Sequence, residues 1–225
     1  MGFESSENWS DNNCAEELGL LLQQVINNKE SKEKNIPLPC KISGTMFIQL
    51  KDMEGDQNFV AKKHKAKFWE DFVTGPYGMT LKWIDKNGKV LKTPVPFKDW
   101  ESVSREWAEK NARYFYDKKA KEVSDFFTVN WLIYNQNQLD SIVSILSNVT
   151  AKSAWRLKEF LLSNRKTWLN EIYNYISNFA VKSKNWKKQR GLEARRLFEA
   201  NWFSGVINSI GYYQNLLFGG KSKKK

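Results

Sequence analysis

Late in the chain, large apolar side chains recur at steps of four and three: Phe198, Trp202, Val206, Ile210, Tyr213 and Leu217. This spacing lines them along one face of an α-helix, and so broad an apolar stripe is stable only when packed against other helices. A helical bundle is therefore required. The element extends over Val181–Phe218, Gly219-Gly220 stops it, and Lys221–Lys225 follows as a basic tail.

The front of the same stretch has the opposite character. From Lys182 to Arg196 there are seven cations, at 182, 184, 187, 188, 190, 195 and 196, against one acid, Glu193. Cations at a helix N-terminus oppose the macrodipole, whereas an anion bound there is favoured by the dipole and by free backbone N–H groups. The pattern directs attention to a polyanionic partner.

Four regions follow from composition and punctuation. Residues 1–36 form an arm with a short amphipathic helix carried by Ala15, Leu18, Leu20, Leu21, Leu22, Val25 and Ile26. Residues 37–98 are β-containing. Thr45–Leu50 is rich in strand formers and pairs with Asn58–Ala61, and Met79–Ile84 pairs with Lys89–Thr93 across Asp85-Lys86-Asn87-Gly88, where Asn-Gly accepts the positive φ of a tight turn. Residues 99–220 are helical: one helix capped by Asp99, kinked around Lys118–Lys121, a short helix over 139–146, a long one over 151–181, and the closing element. Residues 221–225 are the tail. The fold class is mainly α (α+β), a helical bundle from about residue 99 with a small antiparallel sheet in residues 40–95.

The net charge of +11 is unevenly placed: −4 over residues 1–36, +5 over 37–98, −2 over 99–150 and +12 over 151–225. A basic last third behind an acidic front suits a chain that turns one face to a polyanion. The sequence has no apolar run long enough to span a membrane and no signal-peptide pattern at its start, so an intracellular setting is expected, with association with a virion as one form of it. Cys14 and Cys40, without a CxxC pair, read as reduced thiols. His64 is the single histidine and lies among lysines, which excludes a multi-histidine metal site and disfavours it as a general acid. No nucleophile-elbow, zinc-protease or phosphate-loop motif occurs, and the acid pairs Glu16-Glu17 and Glu70-Asp71 read as surface residues. The expectation is no enzyme, no cofactor and no metal.

Two clusters interleave cations with aromatics: Lys62, Lys63, Lys65 and Lys67 before Phe68 and Trp69, and Lys182, Lys184, Trp186, Lys187, Lys188 and Arg190. Cations neutralise phosphates while an adjacent ring offers a plane for an unpaired base. Arg195, Arg196, Arg165 and Lys166 extend the basic surface. Of the ten tryptophans, Trp100, Trp107, Trp131, Trp168 and Trp202 lie on apolar stripes and are expected in the core, leaving Trp186 exposed. The sequence thus reads as a non-enzymatic, sequence-tolerant binder of single-stranded nucleic acid, RNA favoured over DNA. It would act as a homo-oligomer or repeated subunit of a nucleocapsid or coat. The alternative is a scaffolding subunit whose basic face meets acidic protein or an anionic membrane.

Overall fold

The computed structural model describes residues 38–54, 59–64, 72–164, 169–180 and 190–206. Among these are six helices and two small antiparallel sheets, so the mainly helical architecture with a minor β component holds.

The first described element is a helix, α1 (Gly44–Met53), where strand formers imply a strand. Ser43 Oγ accepts from Met46 N at 3.1 Å and starts the helix. Ile42, Met46 and Leu50, four residues apart, are all buried, so a helical period of burial overrides the strand propensity of Phe47 and Ile48. The chain then forms β1 (Lys62–His64), paired antiparallel with β2 (Phe72–Thr74). Just before β1, Val60 bridges Ser102 rather than residues 45–50, which are helical.

The expected hairpin is present as β3 (Leu81–Ile84) and β4 (Val90–Pro96), with a bulge between Lys82 and Ile84. Asp85 Oδ1 accepts from Asn87 N and Lys89 N at 2.8 and 2.9 Å, and Gly88 sits at φ +82°, the conformation for which Asn-Gly is suited. The hairpin docks on α2 (Arg105–Val129) through Asn111. This buried amide accepts from Trp83 N at 2.6 Å and donates to the Leu81 carbonyl at 3.2 Å. A polar residue interrupting an apolar helix stripe therefore serves as the hairpin's anchor.

α2 starts later than Asp99 because Ser104 is its cap, its Oγ accepting from Trp107 N, while Asp99 accepts from Lys63 N. It runs unkinked through Lys118–Lys121. Lys118 and Lys119 pair with Glu122, and Lys121 pairs with Asp125, so the lysine run is compatible with continuous helix. Beyond its end Trp131 adopts φ +55° and is 89% exposed; Trp100, at φ +61° ahead of the helix, is 72% exposed. Both were expected in the core, but turns at the helix ends swing them outward. Trp202 is buried as expected, and Trp107 is half-buried.

The centre of the bundle is α3 (Gln136–Ser147), opened by a reciprocal Asn135–Gln138 capping box. Its residues Leu139 to Ile145 are buried without interruption, as befits a helix surrounded by others. The single helix expected over 151–181 is instead α4 (Ala151–Ser163) and α5 (Leu169–Asn178). The last described helix is α6 (Arg190–Phe203), packed against α3 and α5. Phe198 and Trp202 of the apolar stripe are buried, Val206 lies exposed past the helix end, and Ile210, Tyr213 and Leu217 lie outside the described residues.

Asn111→Ala should lower stability by about 2 kcal/mol, because the backbone groups of Leu81, Trp83 and Ile84 lose a partner where water is largely excluded. Denaturant unfolding measures it, and a loss below about 0.5 kcal/mol would show that the anchor contributes little.

Candidate active site

α1 ends at Glu54, whose backbone N–H bonds Leu50 O at 3.1 Å and closes the helix. Its side chain is 21% exposed, and Oε1 accepts from Arg195 Nη1 at 2.7 Å. The opposite wall is the turn Pro76–Gly78, where Tyr77 (φ 56°, ψ 31°) and Gly78 (φ +70°) are successive left-handed residues. A Cβ at Gly78 would lie 2.6 Å from Glu54 Oε2. Glycine is therefore required twice, for its backbone conformation and for the space the carboxylate occupies.

Tyr77 pays for its unusual conformation with burial, and its hydroxyl donates to Glu109 Oε1 at 3.2 Å. Glu109 also meets Lys51 at 3.1 Å and Arg105 at 3.2 Å. Burial pushes its carboxyl up, yet the bonds from Lys51 and Arg105 outweigh this and hold it below the ordinary range. The turn beside Glu54 is thus fastened to α1 and α2.

Behind Glu54 lies a chain of buried charge. Arg195 Nε donates to Glu199 Oε1 at 3.2 Å, and Arg196 Nη1 makes a close ion pair with Glu199 Oε2. Arg196 Nε donates to the Phe179 carbonyl at 3.0 Å, at the end of α5. Two serines of α3 complete the arrangement: Ser144 Oγ donates to Glu199 Oε1 at 2.5 Å and Ser141 Oγ to the Glu199 carbonyl at 2.8 Å. Burial pulls the Arg195 guanidinium down, but the Glu199 and Glu54 charges more than compensate and raise it above its ordinary value. Tyr116 of α2 is also buried, and burial together with the Glu54 charge pushes its hydroxyl well above the ordinary range. Among the described residues, Arg195 Nη2 has no hydrogen-bond partner, so one donor beside Glu54 is uncommitted.

The residues assigned from sequence to phosphate binding fare differently. Arg195 and Arg196 are buried and committed to Glu54, Glu199 and Phe179, so a charge run read as basic surface is partly internal wiring. Lys62 and Lys63 are exposed on β1, and Arg190 is the first residue of α6. Lys65, Lys67, Arg165, Lys166, Lys182, Lys184, Trp186, Lys187 and Lys188 lie outside the described residues. No sequence motif singles out Glu54. Its signal was there in the four-residue period from Ile42 to Leu50, which makes Glu54 a helix end instead of part of a strand connection.

The fold resembles those of a phage endolysin and a muramidase domain. The endolysin from Escherichia coli O157:H7 phage FAHEc1 superposes with a TM-score of 0.56 at 18% identity, over 75% of this chain and 96% of that one. The muramidase domain of SpmX from Asticaccaulis excentricus gives a TM-score of 0.53 at 17% identity, over 72% of this chain and 97% of that one. Neither a protein-family model nor a curated protein sequence matches the chain.

These likenesses overturn the expectation of a non-enzymatic nucleic-acid-binding subunit of nucleocapsid or coat type, and with it the scaffolding alternative. Single-stranded RNA or DNA is accordingly withdrawn as the partner. The expected lack of a membrane span is met to this extent: no helix among the described residues is long and apolar enough to cross a bilayer.

Gly78→Ala should destabilise the fold by roughly 1–3 kcal/mol, because it places an L side chain at positive φ and presses a methyl group on the Glu54 carboxylate. Thermal or denaturant unfolding reads the effect. Wild-type stability would mean that Glu54 is not confined by this turn.

Proposed function

We propose that the chain is a peptidoglycan hydrolase of the lysozyme-like glycosidase class, with Glu54 as the acid that protonates the departing sugar oxygen. The observation that carries this reading is the placement of Glu54: a partly exposed carboxyl at a helix end, held by Arg195 on one side and by the Gly78 turn on the other. Its setting in a fold like those of an endolysin and a muramidase domain supports it.

Glycoside hydrolysis breaks a C–O bond between two sugars. The leaving oxygen must gain a proton as the bond parts, and the sugar left behind develops oxocarbenium character that a second group stabilises or attacks. Glu54 fits the first task, since a proton donor is effective only when fixed within hydrogen-bonding reach of the atom it serves. For the second task glycosidases commonly use another carboxylate. Glu70 and Asp71, between β1 and β2 in the sequence, are outside the described residues; β2, which follows them, leads into the turn facing Glu54. Substitution of each by its amide identifies which, if either, is needed.

The charge distribution acquires a different meaning under this reading. A chain of net charge +11 is attracted to a polyanion, and peptidoglycan, with carboxylates on its stem peptides, is one.

Glu54→Gln keeps the size and hydrogen-bonding capacity of the side chain but removes the transferable proton. It should reduce saccharide release from purified peptidoglycan by about 10²–10⁴-fold while leaving the circular dichroism spectrum unchanged. Undiminished hydrolysis by this variant, or none by the wild type, would contradict the proposal.

A further inference from the structure

α4 and α5 meet through a ring stack. Phe160 and Tyr175 lie face to face, 3.6 Å apart and 5° from parallel, and the Tyr175 hydroxyl donates to the Arg156 carbonyl at 3.5 Å. Beside the stack a cavity of about 600 Å³ stays open, a size usual for small-ligand sites. Arg156 and Phe160 of α4 line it, with Glu171, Asn174, Tyr175 and Asn178 of α5, positions three or four apart that share one face of each helix. The inner faces of the two helices are apolar, with Leu157 and Ile176 buried, whereas the faces turned to the cavity carry two opposite charges and two amides. Packed helices ordinarily close on apolar side chains, and polar residues at facing positions are a departure of the kind that accompanies function.

The cleft is charged and its rim is fixed. Arg156 and Glu171 are exposed, and among the described residues neither forms an ion pair, with the other or with a third group. At the end of α5 the Phe179 ring lies 5.4 Å from Tyr175, and the Phe179 carbonyl accepts from buried Arg196 Nε at 3.0 Å. Ala180, the next residue of the lining, takes φ +53°, a left-handed conformation that a non-glycine residue keeps where its surroundings impose it. Asn178 Nδ2 donates to the Asn174 carbonyl at 2.9 Å and to Ser177 Oγ at 3.2 Å, which leaves its amide oxygen to accept from a ligand.

We propose that this cleft binds the stem peptide of peptidoglycan, with Arg156 pairing its terminal carboxylate, Glu171 the ammonium group of its diamino residue, and Asn174 and Asn178 the peptide groups between. The inference rests on the reading of the chain as a peptidoglycan hydrolase, but it makes no use of Glu54. Charge complementarity selects the occupant. A polyanion would be repelled by Glu171, an uncharged glycan would leave both charges unanswered, and an acyl chain would take water from them without replacing it. A peptide with a free carboxylate and a free amine answers both, and a guanidinium offers the carboxylate two parallel donors.

The test is titration calorimetry of the full chain with a synthetic stem tetrapeptide that carries a lysine and a free carboxyl terminus. The peptide has no glycosidic bond, so binding is read apart from hydrolysis. Two altered peptides accompany it, one amidated at its carboxyl terminus and one with norleucine in place of lysine. Amidation should weaken binding to the wild type about tenfold, the loss of one charge-assisted pair, and should have little effect on Arg156→Gln. Norleucine should bring a similar loss with the wild type and little with Glu171→Gln. A merely structural role for either residue would lower the affinity for all three peptides alike. No binding at millimolar peptide, equal losses for all peptides, or a penalty that persists in the matching variant overturns the inference. A wild type that hydrolyses peptidoglycan without binding the peptide defeats this inference and leaves Glu54 in its role. One that shows the expected couplings but cleaves no glycan defeats the hydrolase reading and leaves the cleft as a peptide site.

Discussion

The ion pairing of Arg195 and Arg196 with Glu199 is the constraint on which the bundle is arranged. Buried ions need partners at hydrogen-bonding distance, and each unmet bond costs far more than a met one returns. Satisfying these three therefore fixes several elements at once. Ser141 and Ser144 require α3 to pass beside α6, the Phe179 carbonyl requires α5 to end against Arg196, and Glu54 requires α1 to finish at Arg195. Small side chains on α3 permit the close approach. A single short charged run, Glu193 to Glu199, thus determines where three other helices stop or cross.

The same wiring explains how a carboxyl is presented at a helix end without being free to swing. Glu54 is gripped from behind by a guanidinium and confined in front by a turn whose two left-handed residues are held by Tyr77 and the Glu109 cluster. Strained backbone beside a carboxyl is characteristic of sites that must be rigid, because the surrounding contacts over-determine the geometry. The small sheets contribute less to the core than to this fixation. β2 leads into the turn, and the hairpin is tied through Asn111 to α2, the helix that also carries Glu109 and Tyr116.

Much of the fold was legible because local chemistry and tertiary context agree there. The Asp85–Gly88 hairpin carries its own turn signal, and Phe198 and Trp202 carry a period that only a packed helix satisfies. Where the two disagree, propensity misleads. Phe47 and Ile48 suggest a strand, but the four-residue spacing of Ile42, Met46 and Leu50 decides for helix. Trp100 and Trp131 fit helical stripes by position, yet each falls on a turn at a helix end and points outward. The site was hidden for a related reason. Charge counted along the chain made Arg195 and Arg196 part of a basic surface, whereas their partners Glu54 and Phe179 are distant in sequence and close in space. Net charge identifies a preference for polyanions; it does not say which cations are free to meet them.

The central claim is that this chain cleaves a glycosidic bond with Glu54 as acid. The most direct measurement is mass spectrometry of the fragments released from purified peptidoglycan. The account predicts disaccharide-containing fragments with a new reducing sugar end, absent from digests by Glu54→Gln. Release of peptides from intact glycan strands, with no new reducing ends, would contradict it.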